Sequence, residues 1–341
     1  MMSELKPQFE IKGSSIYHGR AEELLHGVLG STERVVVISD VSIDRLHHSL
    51  LAPYKTLFVG QGESSKTLKS VESLVRSMIQ MGVDRTWRVV GIGGGVVTDI
   101  AGFVASIYMR GLRFGFVPTT LLSQVDASVG GKNGVNVDGY KNMIGTFTQP
   151  EFVICDSTLL QTLSDKEFRA GVSESIKSAI IGDVELFDML SSESLESLRK
   201  SEELLQRTVT GAVAVKAGIV TRDEREQGER RLLNLGHTFA HAIEKSSREY
   251  GHGEAVAIGM VMAASVAERL SVADSATSES IRRCIERYGL PTQHKISKSK
   301  LLSAIAKDKK GDGDLVNLIL PRRVGECVIY PIEVEKLKEL Q

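Results

Sequence analysis

Cysteine is scarce in this chain, neither sign of charge prevails, and no apolar run is long. Three cysteines occur among 341 residues, Cys155, Cys284 and Cys327. An odd number at wide spacing excludes a disulfide framework and a CxxC metal site, so reduced thiols packed in apolar surroundings are expected. The 42 basic and 43 acidic residues leave a formal net charge of −1. No global field therefore draws in nucleic acid, and only a local basic pocket stays open. The longest strongly apolar stretch, residues 255–267, holds Gly259 and Ser265 and falls short of the ~18 residues of a membrane span. The opening residues MMSELKPQFEIKGSS carry Glu4, Lys6 and Glu10 and no apolar signal-peptide core, which leaves the cytoplasm as the expected location.

What is present is ordinary for a globular protein: 42% hydrophobic and 25% charged residues, a composition that excludes disordered and collagen-like classes. The length points to about two domains. The first half alternates short β-branched runs with helical patterns, the arrangement of a mostly parallel sheet covered by helices. Residues 34–39 (RVVVIS), 57–59, 88–92 (RVVGI), 114–117 and 152–156 read as strands, and 41–51, 67–81 and a stretch from Val97 as helices. In 67–81, Leu68, Val71, Leu74, Val75, Met78 and Ile79 share one face at helical spacing. From Asp165 the pattern changes. Residues 166–181, 195–222, 232–245, 254–269 and 278–288 read as helices, with a small hairpin at 315–320 and 327–330 around 321–326. The expected division is an α/β domain over 1–160 and a helical domain over 161–341.

The strand at 88–92 runs into GIGGGVVTDIAG. Glycines where a strand enters a helix expose backbone N–H groups and a helix N-terminus to an anion such as a nucleotide phosphate. The fingerprint G-x-G-x-x-G is matched imperfectly, because Val96 stands where the third glycine belongs. Tight packing alone explains such glycines equally well.

Three of the eight histidines fall within sixteen residues, His237, His241 and His252. His237 and His241 lie four apart and share a helix face, His252 opens the next predicted helix, and Glu174 is a carboxylate in an otherwise apolar helical stretch. Helix capping or core hydrogen bonding is the bland alternative. The concentration, with Gly236, Gly251 and Gly253 permitting close approach, favours a divalent metal with positions left for substrate. Polar and cationic groups collect in YMRG, VDASVGGK, GYKN and DKK, and Lys177 and Lys216 interrupt apolar helical runs. Each alone reads as surface; together they suit a substrate bearing both a carboxylate and a phosphate.

The stretches GGGVVTDIAGFVASIYMRG, FVPTTLLSQVDASVGGKNGVN, GYKNMIGTF, FRAGVSESIKSAII, LLNLGHTFAHAIE and HGEAVAIGM span residues 93–260. In sequence and order they resemble the 3-dehydroquinate synthases of the shikimate pathway. The resemblance implies an N-terminal Rossmann-like α/β NAD-binding domain and a C-terminal α-helical metal-binding domain with the active site in the cleft between them. It also implies a homodimer. Matched by position, Glu174, His237 and His252 would bind Zn2+ or Co2+, and His241, which spacing alone makes a ligand, would face the substrate phosphate. Asp40, Glu63, Lys66, Gly94, Gly95 and Asp99 would contact NAD, as would Thr119, Thr120, Lys132, Lys141, Thr162, Leu163 and Glu167. Substrate would meet Asp126, Lys132, Asn142, Lys177 and Lys216, then Arg230, Asn234, His241 and Lys309, with Arg110 reaching the neighbouring subunit's site.

The implied reaction converts 3-deoxy-D-arabino-heptulosonate 7-phosphate to 3-dehydroquinate and phosphate. Transient oxidation by NAD+ acidifies the neighbouring C–H, phosphate leaves, the hydride returns, and an aldol closure forms the ring. Ser164 stands where the family often has proline, and as a helix N-cap it is a reasonable substitute. Two rivals remain. A cyclase acting on a carboxylate-free sugar phosphate would not need all of Lys216, Arg230, Asn234 and Lys309. A metal-dependent alcohol dehydrogenase would resemble a pattern with a ligating His four residues after an Asp, whereas Ser178 follows Glu174 here.

Overall fold

A computed structural model describes residues 6–308 and 315–339. The chain divides into two compact units, Met1–Ser164 and Asp165–Gln341.

The first unit is built on β1 (Phe9–Ile11), β2 (Ser14–His18), α1 (Ala21–Leu29), β3 (Val35–Asp40), α2 (Val41–Leu46), α3 (His48–Leu51) and β4 (Lys55–Val59). There follow α4 (Leu68–Gln80), β5 (Arg88–Gly93), α5 (Gly95–Ile107), β6 (Arg113–Pro118), the hairpin β7 (Lys132–Val137) and β8 (Tyr140–Phe147), and β9 (Phe152–Cys155). Seven strands form one sheet in the order β1-β2-β9-β6-β5-β3-β4. All neighbours are parallel except β1 with β2. Strands covered by helices on both faces need apolar side chains on both, and Val35, Val36, Val37 and Ile38 are all buried. The strand order reverses between β3 and β5, and ligands of doubly wound sheets bind outside the carboxyl ends of strands at such a point. Asp40 ends β3 there, and Gly94 and Gly95 follow β5.

The second unit holds α6 (Asp165–Gly182), α7 (Val184–Ser192), α8 (Leu195–Lys200), α9 (Glu202–Arg222), α10 (His237–Ser246), α11 (His252–Arg269), α12 (Ser275–Arg287), α13 (Lys298–Asp308), the hairpin β10 (Leu315–Arg323) and β11 (Glu326–Glu333), and α14 (Val334–Glu339). Of the expected helix over 195–222, two are made. Ser194 caps α8 and Ser201 caps α9, each side chain accepting a backbone N–H three residues on, so the two serines restart the helix. Likewise residues 41–51 form two helices that break at His47. Among the described residues no helix is long and apolar enough to cross a membrane.

Several elements escaped the sequence reading: β1, β2, α1, α7, α13, α14 and the β7–β8 hairpin. The hairpin's signal was Asp138-Gly139, a two-residue turn with φ of 49° and 80° in which Val137 faces Tyr140. Asp-Gly suits the left-handed backbone at both central positions.

Cys155 and Cys284 are buried, Cys327 is half-buried, and all three are free. Burial pushes their thiols up to about 12, about 11 and about 12 respectively. A raised thiol pKa leaves little thiolate at pH 8, so we expect no cysteine to react with a thiol-specific reagent in the native protein and all three to react after denaturation, as counted by mass spectrometry.

Candidate metal centre and surrounding site

In the second unit α6 carries polar residues on its inside. Ser173, Glu174, Ser175, Lys177 and Ser178 are all buried. A buried carboxylate requires compensation, and Lys177 Nζ lies 2.5 Å from Glu174 Oε2. The other oxygen, Oε1, faces His252 Nε2 at 3.3 Å and His237 Nε2 at 3.7 Å. These three residues form a cluster able to hold a metal ion, each offering one ligand atom within 4.8 Å of the others. Two ligands about 2.1 Å from a tetrahedral zinc ion stand about 3.4 Å apart, so carboxylate and imidazoles fit the ion in kind and in spacing.

Local sequence explains the convergence. Gly236 takes φ of 76° and turns the chain so that His237 opens α10. Gly253, beside His252 at the start of α11, leaves no space for a side chain: a Cβ there would lie 2.3 Å from Ala170 Cα of α6. Glycine at this crossing lets the two backbones meet and draws His252 toward Glu174. His237 Nδ1 pairs with the Leu235 carbonyl oxygen at 3.1 Å, which directs its Nε2 into the cluster.

The electrostatics of the two rings differ. Burial holds His237 well below the usual range, down to about 3, with Lys177 adding to the effect. Burial also opposes charge on His252, but hydrogen bonds to Glu174 and Glu244 prevail and raise it to about 10. His241, a ligand by spacing alone, lies outside the Glu174–His237–His252 cluster. Its ring stands edge-on to His237 with centroids 5.6 Å apart. Four-residue spacing puts both side chains on one face, but Glu174 from another helix takes the place beside His237.

Other cations of this unit are also buried. Lys216 lies on α9, and Arg230 donates from Nη1 to the Glu224 carbonyl oxygen. Asn234 donates to Glu226 Oε1 at 2.6 Å. Lys309 lies outside the described residues.

In the first unit Gly94 caps α5 and Gly95 opens it. The glycine cluster sorts into two kinds. A Cβ on Gly93 would lie 2.7 Å from Val97 and one on Gly91 2.9 Å from Ala101, so packing explains these two. Thr119 Oγ1, at the carboxyl end of β6, is buried without a hydrogen-bond partner among the described residues, a donor directed at the same end of the sheet. Thr120 follows it, and Asp126 sits in a π-helical turn over Ser123–Ala127. Asp40 caps α2 through Ser42 N at 2.7 Å. Thr162 pairs through Oγ1 with His47 Nε2 at 3.0 Å, Leu163 is half-buried, and Glu167, on α6 of the second unit, is exposed.

A hydrogen-bonded chain links four of the expected residues. Buried Lys66 binds Asp99 and, at 2.5 Å, Asn142 Oδ1. Asn142, in the left-handed region at φ 53°, donates from its backbone to Asn136 Oδ1 at 2.8 Å, and Asn136 Nδ2 reaches Glu63 Oε1 at 2.7 Å. Asn136 went unnoticed in the sequence. Its signal was a polar residue between two valines in GVNV. Lys132 and Lys141 are exposed on the same hairpin, and Arg110 is exposed with φ of 71° directly after Met109 at 50°.

The fold and the buried cluster define a class: an α/β unit with a ligand-type switch point, joined to a helical unit with a carboxylate–imidazole metal centre. Profile comparison matches "3-dehydroquinate synthase N-terminal" over residues 56–170 and "3-dehydroquinate synthase C-terminal" over 171–311. The chain is 38% identical over 328 residues to the 3-dehydroquinate synthase of Leptospira interrogans serovar copenhageni, covering 94% of this chain and 90% of that one. It is 41% identical over 307 residues to that of Dehalococcoides mccartyi, covering 87% and 86%. A solved structure of 2-epi-5-epi-valiolone synthase from Streptomyces hygroscopicus, with NAD+ and Zn2+ bound, superposes with a TM-score of 0.87 at 27% identity over 97% of this chain and 96% of that one. The chain belongs to the 3-dehydroquinate synthase family.

Replacing either Glu174 or His237 with alanine should abolish stoichiometric metal binding while leaving the circular dichroism spectrum unchanged; metal retained by both variants, measured by elemental analysis, would discard this cluster. Gly253→Val should prevent α11 from closing on α6 and leave the helical unit unable to fold cooperatively, as read by thermal unfolding.

Proposed function

We propose that this chain converts 3-deoxy-D-arabino-heptulosonate 7-phosphate to 3-dehydroquinate and phosphate, with NAD and a resident Zn2+ or Co2+ ion. The observation that carries this reading is the Glu174–His237–His252 cluster joined to Lys177, in a unit that also buries the cations Lys216 and Arg230. Glu174, His237 and His252 hold the ion. When bound, the ion supplies positive charge that favours alkoxide character at the hydroxyl to be oxidised, and the dinucleotide supplies a reversible hydride acceptor.

The remaining work falls to this chain's own side chains. Lys177 neutralises one oxygen of Glu174, which leaves the cluster net positive once loaded. Lys216, Arg230, Asn234 and Lys309 receive the substrate carboxylate and His241 faces the phosphate, with Asp126, Lys132, Asn142 and Lys177 as further substrate contacts. Buried cations bind such groups more strongly than exposed ones because little water competes. Asp40, Glu63, Lys66, Gly94, Gly95 and Asp99 form the dinucleotide site with Thr119, Thr120, Lys132, Lys141, Thr162, Leu163 and Glu167. The N-terminus of α5 faces its phosphates.

A homodimer is part of the same reading. Tyr140 and Met143 are each 62% exposed, and Ile144 and Phe147 are exposed beside them on β8. Exposed apolar side chains on both faces of this hairpin strand suit burial against a second copy, with Arg110 reaching the partner's site.

In an assay with NAD+ and Zn2+, phosphate should appear from the heptulosonate phosphate without net change at 340 nm, and EDTA should stop it. Accumulating NADH would mark a dehydrogenase instead, and turnover confined to carboxylate-free sugar phosphates would move the chain to another cyclase activity. Lys216→Ala should keep its metal and raise KM by about 10- to 100-fold, the loss of one charge-assisted contact. Met143→Glu should halve the mass seen by sedimentation if β8 is the dimer face.

A further inference from the structure

We propose that Glu244 is a positioning residue for the metal centre: it holds the Nδ1–H of His252 and so fixes the tautomer whose Nε2 faces Glu174. The inference rests on the metal reading above and extends it to a residue outside the ligand set.

Glu244 stands seven residues after His237 and three after His241 on α10, so all three lie on one helix face over two turns. His252 opens α11. Its Nδ1 lies 3.6 Å from Glu244 Oε1, and its Nε2 lies 3.3 Å from Glu174 Oε1. The two nitrogens point away from each other across the ring, so Glu244 is on the far side from the ligand atoms and is not itself a ligand. The Glu244 side chain is only 15% exposed, which shields this pairing from water and strengthens it.

A neutral imidazole carries one proton, and a ring that places it on Nε2 offers no lone pair to a metal. An acceptor at Nδ1 decides the matter, and it also makes the ring a stronger donor. His237 obtains its acceptor from a backbone carbonyl, Leu235 O at 3.1 Å. His252 has a carboxylate in the same role. Helix α10 therefore supplies one ligand from its first turn and the support for the other ligand from its last full turn.

The test uses metal-free protein titrated with Zn2+ against a chromophoric chelator, and separately with Co2+ followed by its visible spectrum. Wild type, Glu244→Ala and Glu244→Gln are compared, with Glu174→Ala as the metal-free reference. Glu244→Ala should bind Zn2+ about 10- to 100-fold more weakly and alter the Co2+ spectrum, while keeping the wild-type circular dichroism spectrum without metal. Glu244→Gln, whose amide oxygen still accepts the Nδ1–H, should recover most of the affinity. Equal affinities and superimposable Co2+ spectra for wild type and Glu244→Ala overturn the proposal. So does an affinity that stays low in Glu244→Gln, whose amide keeps both the volume and the acceptor. Wild type that binds no more metal than Glu174→Ala overturns instead the metal reading beneath it.

Discussion

The helical unit is organised around one costly group, the carboxylate of Glu174, which has no solvent exposure. Withdrawing an ionised carboxylate from water costs several kcal/mol even after the surroundings relax, and removing the partner of a buried pair costs about 3–5 kcal/mol. Such a charge persists only where other groups are fixed around it. Lys177 arrives from one turn further along the same helix, and the two imidazoles arrive from the first residues of α10 and α11. Those helix starts require Gly236 and Gly253, one for its backbone conformation and one for its lack of a side chain. The geometry of a metal centre and the packing of three helices are thus the same requirement seen from two sides.

The α/β unit meets a different constraint. Its parallel sheet buries apolar residues on both faces, which leaves the strand ends as the place where polar groups gather. At the reversal between β3 and β5 those ends carry Asp40 and the Gly94–Gly95 turn, and a buried hydroxyl, Thr119, ends β6 beside them. The chain from Glu63 through Asn136, Asn142 and Lys66 to Asp99 connects one loop, a hairpin and a helix. Residues scattered across the sequence are held in register by the amide groups of Asn136 and Asn142.

Much of this was legible in the sequence, and its failures have physical causes. Runs such as RVVVIS announce a buried strand directly, whereas in the stripe from Leu68 to Ile79 only Val71, Leu74 and Met78 are buried and both ends are exposed; β3 and α4 formed where those patterns stood. Short polar elements did not. Hairpin β7–β8 is rich in glycine and asparagine and exposes most of β8, so it has no apolar alternation, and only the Asp138-Gly139 pair marked it. Serine caps cut what looked like one helix into α8 and α9. At the site, spacing brought His237 and His241 to one face but carried nothing about Glu174, which lies about sixty residues earlier and arrives by tertiary packing. Family resemblance placed Glu174, and periodicity alone would not have.

The two imidazoles of the centre are steadied unequally. His237 leans on a carbonyl that every amino acid possesses, so no substitution at Leu235 deletes it. His252 faces a side chain, that of Glu244, and a single nucleotide change is enough to remove it. Genetic fragility around this candidate metal centre is therefore lopsided: one ring is supported by the main chain and is nearly immune to drift, while the other carries its vulnerability two helical turns away from the first ring.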